Sequence, residues 1–253
     1  MRPSSILTLC AILASPAVAV PAEKPAYPPE RTVDHVDDYH GTRVADPYRW
    51  LEALDSAEVK AWVEAQNALA QPYLEAIPAR KELIERLTKL WNYERYQVPF
   101  EEGGRYFFRK NDGLQNQDVL YVMDRWDGLP RVLIDPNGFS KDGTVALGQV
   151  VPSPDGTLLA YSIQDGGSDW RTWKVRDVAA GADATDFIQH TKFTGVSWSR
   201  DSKGFYYSRY PLPPGAAKAD DQQPVTVWYH RIGTKQDRRS AENDVGPAVT
   251  VKW

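Results

Sequence analysis

The feature that most constrains this chain is a meander that recurs. Residues 150–177, VVPSPDGTLLAYSIQDGGSDWRTWKVRD, hold three short apolar runs separated by two turn signals. Val150 and Val151 precede the Pro154-Asp155-Gly156 turn, Leu159, Tyr161 and Ile163 alternate along the next run, and Asp165-Gly166-Gly167 leads into Trp173 and Val175. Apolar side chains at every second position put one face of a strand on a core, and Asp-Gly and Gly-Gly supply the positive φ of tight hairpin turns. Three consecutive antiparallel strands are expected. A lone meander is marginal in water, so it needs copies of itself to pack against.

Copies lie on both sides. About 46 positions after Ser153-Pro154-Asp155 comes Ser199-Arg200-Asp201, within GVSWSRDSKGFYYSRY, and the run Gly204 to Tyr210 takes the place of Gly156 to Ser162. Val225 to Arg231 (VTVWYHR) stands where WRTWKVR stood, after a polar, proline-rich insertion at 211–223. Upstream, Gly104 to Arg109, the Asn111-Asp112-Gly113 turn and Val119 to Met123 form a third version. Several short strands per unit of about 45 to 50 residues are the signature of β-propeller blades, here about three of them. The fold class expected is mainly β: part of a propeller, preceded by a helical segment.

That segment has a different period. Val59, Trp62, Val63, Leu69, Ala70, Tyr73 and Leu74 recur at helical spacing, with Asp55 as N-cap and Glu58 three residues on. A second helix opens at Pro78 and carries Leu83, Ile84, Leu87 and Leu90 on one face. Blades cover themselves, so these faces are expected to pack on something other than the propeller.

The N-terminus has a basic start at Arg2, an apolar run from Ile6 to Ala14 and a small-x-small sequence at Ala17-Val18-Ala19. This pattern predicts a signal peptide over 1–19 with cleavage after Ala19, and an exported, periplasmic chain with no membrane anchor once it is removed. A lipoprotein reading of Leu7-Thr8-Leu9-Cys10 fails because bulky Leu9 stands where a small residue is needed. Cys10 is the sole cysteine, so the exported chain would hold no disulfide or cysteine-based metal site. The net charge of -4, with both signs interspersed, argues against nucleic acid as a partner.

Chemistry is hard to place in the chain. The nearest approach to a nucleophile elbow is Gly166-Gly167-Ser168-Asp169-Trp170, but Trp170 replaces the second glycine of G-x-S-x-G and strands flank it on both sides, so Ser168 is read as a turn residue. His35, His40, His190 and His230 are scattered singly, without metal-site spacing, and surface or hydrogen-bonded roles are expected for them. Asp34, Asp37 and Asp38 read as a solvated loop cluster. No Gly-rich phosphate loop occurs, and neither a cofactor nor a metal is implied. Phe193, in Lys192-Phe193-Thr194-Gly195-Val196-Ser197-Trp198, lies where a blade meets the central channel or a propeller face. It is either a core aromatic or a wall for an apolar ligand group.

Several stretches in order carry a family resemblance: Asp38-Tyr39-His40-Gly41, Asp46-Pro47-Tyr48-Arg49-Trp50-Leu51-Glu52, Val63-Glu64-Ala65-Gln66-Asn67, Gly113-Leu114-Gln115-Asn116-Gln117, Asp142-Gly143-Thr144-Val145-Ala146-Leu147 and Gly167-Ser168-Asp169-Trp170. From about Tyr27 to Gln236 the chain resembles the N-terminal part of the prolyl oligopeptidase family of serine peptidases. The resemblance implies an incomplete seven-bladed propeller. It also implies that the helical segment packs on a C-terminal α/β-hydrolase domain, which would be its missing intramolecular partner. Family members cleave short peptides after proline with a Ser, Asp and His carried by that C-terminal domain. No residue here inherits a triad role. Phe193 alone is carried over, as an aromatic that the propeller lends to the pocket for the substrate's proline.

The implied organisation is a signal peptide over 1–19, an extended and helical segment over 20–91, the first propeller blades over 92–236 and a divergent tail over 237–253. After Gly233-Thr234-Lys235-Gln236 the sequence DRRSAENDVGPAVTVKW matches neither the repeat nor the family, as a shifted reading frame would produce. Two functions follow as expectations. The first is the non-catalytic N-terminal portion of an exported prolyl peptidase, whose complete form takes short proline-containing peptides. The alternative is a stand-alone periplasmic propeller-like binding module.

Overall fold

The computed structural model describes residues 26–215, 219 and 223–236. The predicted signal peptide with Cys10, part of the polar insertion and the tail over 237–253 lie outside the described residues. The chain divides into two compact units, Met1–Ile84 and Glu85–Trp253.

The first unit opens with a hairpin, β1 (Val36–Tyr39) and β2 (Thr42–Ala45), in which Val36 faces Ala45 and Tyr39 faces Thr42. His40 and Gly41 both take positive φ, 55° and 89°, as a two-residue turn requires. The aspartates expected in a solvated loop are therefore partly organised. The Asp38 carboxylate accepts the Gly41 N–H at 2.6 Å, and Asp37 pairs with Arg49 and with His35, the latter at 3.2 Å. Alternating residues there are too polar to mark strands, which is why the hairpin escaped the pattern.

Helix α1 (Ala57–Glu75) is capped by Ser56, whose Oγ accepts the Val59 N–H at 3.2 Å. The cap is one residue later than Asp55; both types suit the position, and only the backbone geometry separates them. Helix α2 (Arg80–Trp91) begins two residues after Pro78, and the division between the units falls within it. In α1 only Val59 is buried, and Leu83, Ile84, Leu87 and Leu90 of α2 are all exposed. The α2 face predicted to need a partner is exposed among the described residues, whereas the α1 face is partly covered, with Val59 buried and Trp62 edge to face with Trp50 at 6.5 Å. No helix among those residues is long and apolar enough to cross a membrane.

The second unit is three antiparallel sheets. The first sheet contains β3 (Arg95–Tyr96), β4 (Phe100–Glu102), β5 (Arg105–Asn111), β6 (Val119–Met123) and β7 (Arg131–Ile134), ordered β3-β5-β6-β7 with β4 also on β5. The second contains β8 (Ala146–Pro152), β9 (Leu158–Gln164), β10 (Trp170–Asp177) and β11 (Ala182–Lys192) in sequential order. The third contains β12 (Val196–Trp198), β13 (Gly204–Arg209) and β14 (Thr226–Arg231). The three-strand expectation for 150–177 is met by β8, β9 and β10. A fourth strand, β11, is added. Its sequence ADATDFIQHTK buries only Asp186, Ile188 and Thr191, too sparse an apolar signal to read in advance.

The repeat shows in the turns as well as in the strands. Ser153 N donates to Leu158 O at 2.8 Å and its Oγ to Asp155 at 2.6 Å; Ser199 N donates to Gly204 O at 2.8 Å and its Oγ to Asp201 at 2.7 Å. In each turn the carboxylate also accepts a backbone N–H two residues on, from Thr157 at 3.0 Å and Lys203 at 3.1 Å. Ser-x-Asp thus satisfies the turn's backbone and side-chain groups at the entry to each second strand.

Adjacent sheets face each other across two cores. Phe107, Leu120, Val122, Leu133 and Ile134 of the first sheet meet Leu147, Leu159 and Tyr161 of the second, with Val178 completing the cluster. Ala160, Trp173, Val175 and Ile188 on the second sheet's other face meet Phe205 and Tyr207 of the third. Polar links cross the same seams. Arg109 donates to the Leu147 and Gly148 carbonyls, and Trp198 Nε1 donates to Val151 O at 2.9 Å.

Candidate functional site

The expected site residue, Phe193, sits where β11 ends. Trp170 opens β10 opposite Lys192, the last residue of β11, so the chain leaves the sheet at Phe193. It does so with φ of 55°, a left-handed conformation that costs a residue other than glycine about 1 to 2 kcal/mol. His190, three residues earlier, also has positive φ, at 63°.

This turn is held from both sides. Thr191, fully buried, donates its hydroxyl to Arg171 O at 2.7 Å, and Tyr210 N donates to His190 O at 2.9 Å. Thr194 Oγ1 donates to Ser208 O at 3.3 Å. The second and third sheets therefore fix the residues flanking Phe193, while its own ring remains 67% exposed.

An aromatic and cationic surface surrounds that ring. The Lys192 ammonium lies 5.2 Å from the Phe193 ring centre and 5.5 Å from that of Trp170. Trp170 in turn meets Tyr210 edge to face at 5.5 Å. The reading of Phe193 as a core aromatic is not met, since its ring is largely exposed among the described residues. The arrangement can offer a flat apolar wall with one positive charge beside it. It offers no nucleophile.

Ser168 occupies the turn that the sequence indicated. Its N–H donates to Asp165 O at 2.9 Å, its Oγ accepts the Trp170 N–H at 3.2 Å, and Gly166 and Gly167 take φ of 56° and 72°. β10 follows at once, with no helix to aim an oxyanion hole. The histidines stay apart: His35 bonds Asp37, His40 forms the β1–β2 turn, His190 lies in β11, and His230 is buried in β14. His230 Nε2 lies 2.6 Å from Asp186 Oδ1, both side chains 1% exposed, and the same oxygen accepts the Gly233 N–H at 2.8 Å. Sequence spacing could not reveal this pair, which joins β14 to β11 across 44 positions. Among the described residues no group of three His, Cys, Asp or Glu could hold a metal ion.

The perturbed groups are structural. Burial alone would raise the Asp155 pKa, but donors from Ser153, Thr157 and Ser202 outweigh it and bring it to about 2. Burial and the hydrogen bond to Asp183 push Tyr161 up, and desolvation lowers Arg109. These groups hold turns and seams together, and none of them borders Phe193.

The chain is similar to known proteins in sequence and fold. The family model described as prolyl oligopeptidase, N-terminal beta-propeller domain, matches residues 28–242. Over 213 residues the chain is 42% identical to a prolyl endopeptidase of Elizabethkingia meningoseptica, covering 84% of this chain and 30% of that protein. It is 36% identical to a dual function macrocyclase-peptidase of Amanita bisporigera, over 83% of this chain and 32% of the relative. Among solved structures, a prolyl endopeptidase analysed for inter-domain dynamics in catalysis and specificity superposes with a TM-score of 0.72 at 37% identity, over 83% of this chain and 31% of its own. Prolyl oligopeptidase B of Galerina marginata, bound to a 35-residue substrate, gives 0.66 at 33% identity, over 84% and 33%. The chain thus spans about a third of the length of these relatives.

Proposed function

The chain belongs to the prolyl oligopeptidase family, and from that premise we propose that it serves as the helical segment and first propeller blades of an exported proline-specific serine peptidase, without catalysis of its own. The observation that carries this is the match to the family's N-terminal propeller domain, coupled with a sequence in which the nearest elbow, around Ser168, is a hairpin turn. The complete enzyme would cleave short proline-containing peptides with groups from a hydrolase domain. The exposed apolar face of α2, with Leu83, Ile84, Leu87 and Leu90, is suited to that domain as partner. The basic start, apolar run and Ala17-Val18-Ala19 over 1–19 support export to the periplasm.

Phe193 is the propeller's contribution to substrate binding in this reading. Its ring is uncovered, yet its backbone is held in an unfavourable conformation by hydrogen bonds to its neighbours, a combination that packing alone does not require. The test is a hybrid in which residues 27–236 replace the matching part of the Elizabethkingia enzyme. A folded hybrid should cleave after proline. Phe193→Ala should raise KM about 5- to 30-fold with kcat little changed, as expected for loss of one aromatic contact of 1 to 2 kcal/mol. An unchanged KM would remove Phe193 from the pocket, and a folded hybrid without activity would contradict the reading as a whole.

A further inference from the structure

The Gly233-Thr234-Lys235-Gln236 turn follows β14 and meets β11, the strand at one end of the second sheet. Gly233 N donates to Asp186 Oδ1 at 2.8 Å, and His230 Nε2 lies 2.6 Å from the same buried oxygen. Three residues further along both segments, Gln236 grips the main chain of Gln189. Its Oε1 accepts the Gln189 N–H at 3.0 Å and its Nε2 donates to Gln189 O at 2.8 Å. One side-chain amide thus takes the place of a neighbouring strand's backbone, reaching from a base that Asp186 anchors.

Gln189 calls for that grip because β11 is bulged there. Trp173 pairs with Ile188 and Arg171 with Thr191, so Gln189 and His190 stand against Thr172 alone on β10. A bulge interrupts the ladder locally and re-aims the side chains beyond it. Both consequences are visible. His190 turns to φ of 63°, and its carbonyl accepts the Tyr210 N–H at 2.9 Å. Burial alternates from Asp186 to Ile188 and then skips to Thr191, one position out of phase. Without the extra residue Thr191 would turn to the opposite face, and the turn at Phe193, two residues on, would be inverted with it.

We propose that Gln236 is a positioning residue for Phe193: by holding both backbone groups of the bulged Gln189, it keeps the end of β11 in the register that presents the Phe193 ring to a peptide. The proposal rests on the reading of Phe193 as the propeller's contact with substrate. Two observations favour it over simple protection of a strand edge. The paired bonds fall on the bulge itself rather than on a regularly paired stretch. Of the four non-glycine residues with positive φ among the described residues, His190 and Phe193 both follow it within four positions, and such strain persists only where the surroundings hold it.

The first experiment is chymotrypsin cleavage of the full 253-residue chain under native conditions, with the cut after Phe193 followed by mass spectrometry. Gln236→Ala should speed that cut about tenfold, because the two bonds that close the bulge are lost and cleavage needs local opening. Cleavage after Trp126, exposed between β6 and β7, should not change. Gln236→Glu, ionised, keeps an acceptor but has no donor for Gln189 O, and should behave as the alanine variant does. No acceleration at Phe193, or an equal acceleration at Trp126, overturns the proposal.

The second experiment uses the hybrid enzyme carrying residues 27–236. Gln236→Ala should raise KM about 3- to 10-fold with kcat little changed, and should add nothing once Phe193 is alanine. If Phe193→Ala raises KM and Gln236→Ala does not, the positioning role falls and the pocket stands. If Phe193→Ala leaves KM unchanged, the pocket falls and the positioning role with it. An effect of Gln236→Ala that persists in the Phe193→Ala background also overturns the proposal, since Gln236 would then act elsewhere. Should Gln236→Ala fail to fold, Gln236→Glu carries the same comparisons.

Discussion

The second and third sheets are two copies of one plan under different circumstances. Both enter through a Ser-x-Asp turn with nearly the same hydrogen bonds. Yet Trp173 and Val175 are fully buried, while their counterparts Val227 and Tyr229 are partly exposed. The difference lies in the neighbour. A blade's strands and turns are specified locally, but burial of its second face is conferred by the next blade, as in other repeat architectures where stability is a sum of unit and interface terms. The first sheet shows the same dependence from the other side, with Tyr96 and Val132 exposed on its face away from the second sheet among the described residues.

The largest test of this comparison is a paired truncation. Trp173→Ala should cost about 3 to 5 kcal/mol, because a fully buried indole leaves a cavity between two sheets. Val227→Ala, at the equivalent position, should cost about 0.5 kcal/mol. Equal losses in chemical denaturation would break the claim that the neighbour decides.

Next come the seams. Gly103 takes φ of 58° and packs on the Gly156 backbone, so any Cβ there would overlap main-chain atoms that cannot move aside. Gly103→Ala should cost about 3 kcal/mol from overpacking and left-handed strain together. At the second seam the residue equivalent to Gly156 is Ser202, which tolerates φ of 57° and receives the Asp155 N–H on its Oγ at 3.3 Å. Ser202→Ala should cost about 1 kcal/mol, the loss of one hydrogen bond.

The smallest effect is in acid. Burial opposes ionisation of Asp155, yet its donors hold the folded pKa at about 2, below the unfolded value of about 4. The stability this contributes is present above pH 4 and lost as pH falls towards 2. Asp201, in the matching turn, is also lowered, chiefly by the Ser199 hydroxyl. Asp155→Asn should therefore flatten the dependence of melting temperature on pH between 4 and 2 more than Asp201→Asn does. The reverse order would show that the turns differ in a way their geometry does not reveal.

What could be read in advance follows the same line. Strands β8, β9, β10, β13 and β14 announce themselves through alternation and Asp-Gly or Ser-x-Asp turns, because each has one face on a core and one towards a neighbour or solvent. Strand β11 does not, since Asp186 and Thr191 are buried as hydrogen-bonding groups rather than as apolar ones. The β1–β2 hairpin hides because its residues, VDDY and TRVA, carry no apolar alternation. At the candidate site, Phe193 could be named, but its exposure and positive φ could not. Both arise from the junction of β11 with residues of two sheets, which no local pattern records. Leu83, Leu87 and Leu90 were legible as one helical face, which is exposed among the described residues.

The most direct measurement is hydrolysis of a short proline-containing reporter peptide by the purified 253-residue chain, with and without a serine-reactive inhibitor. The account predicts no turnover above buffer in either condition, because the role proposed for the chain is that of propeller blades and Ser168, the nearest approach to an elbow serine, is held in a hairpin turn. Proline-specific cleavage abolished by the inhibitor would contradict it, and would require a nucleophile that neither Ser168 nor any other described serine has been shown to provide.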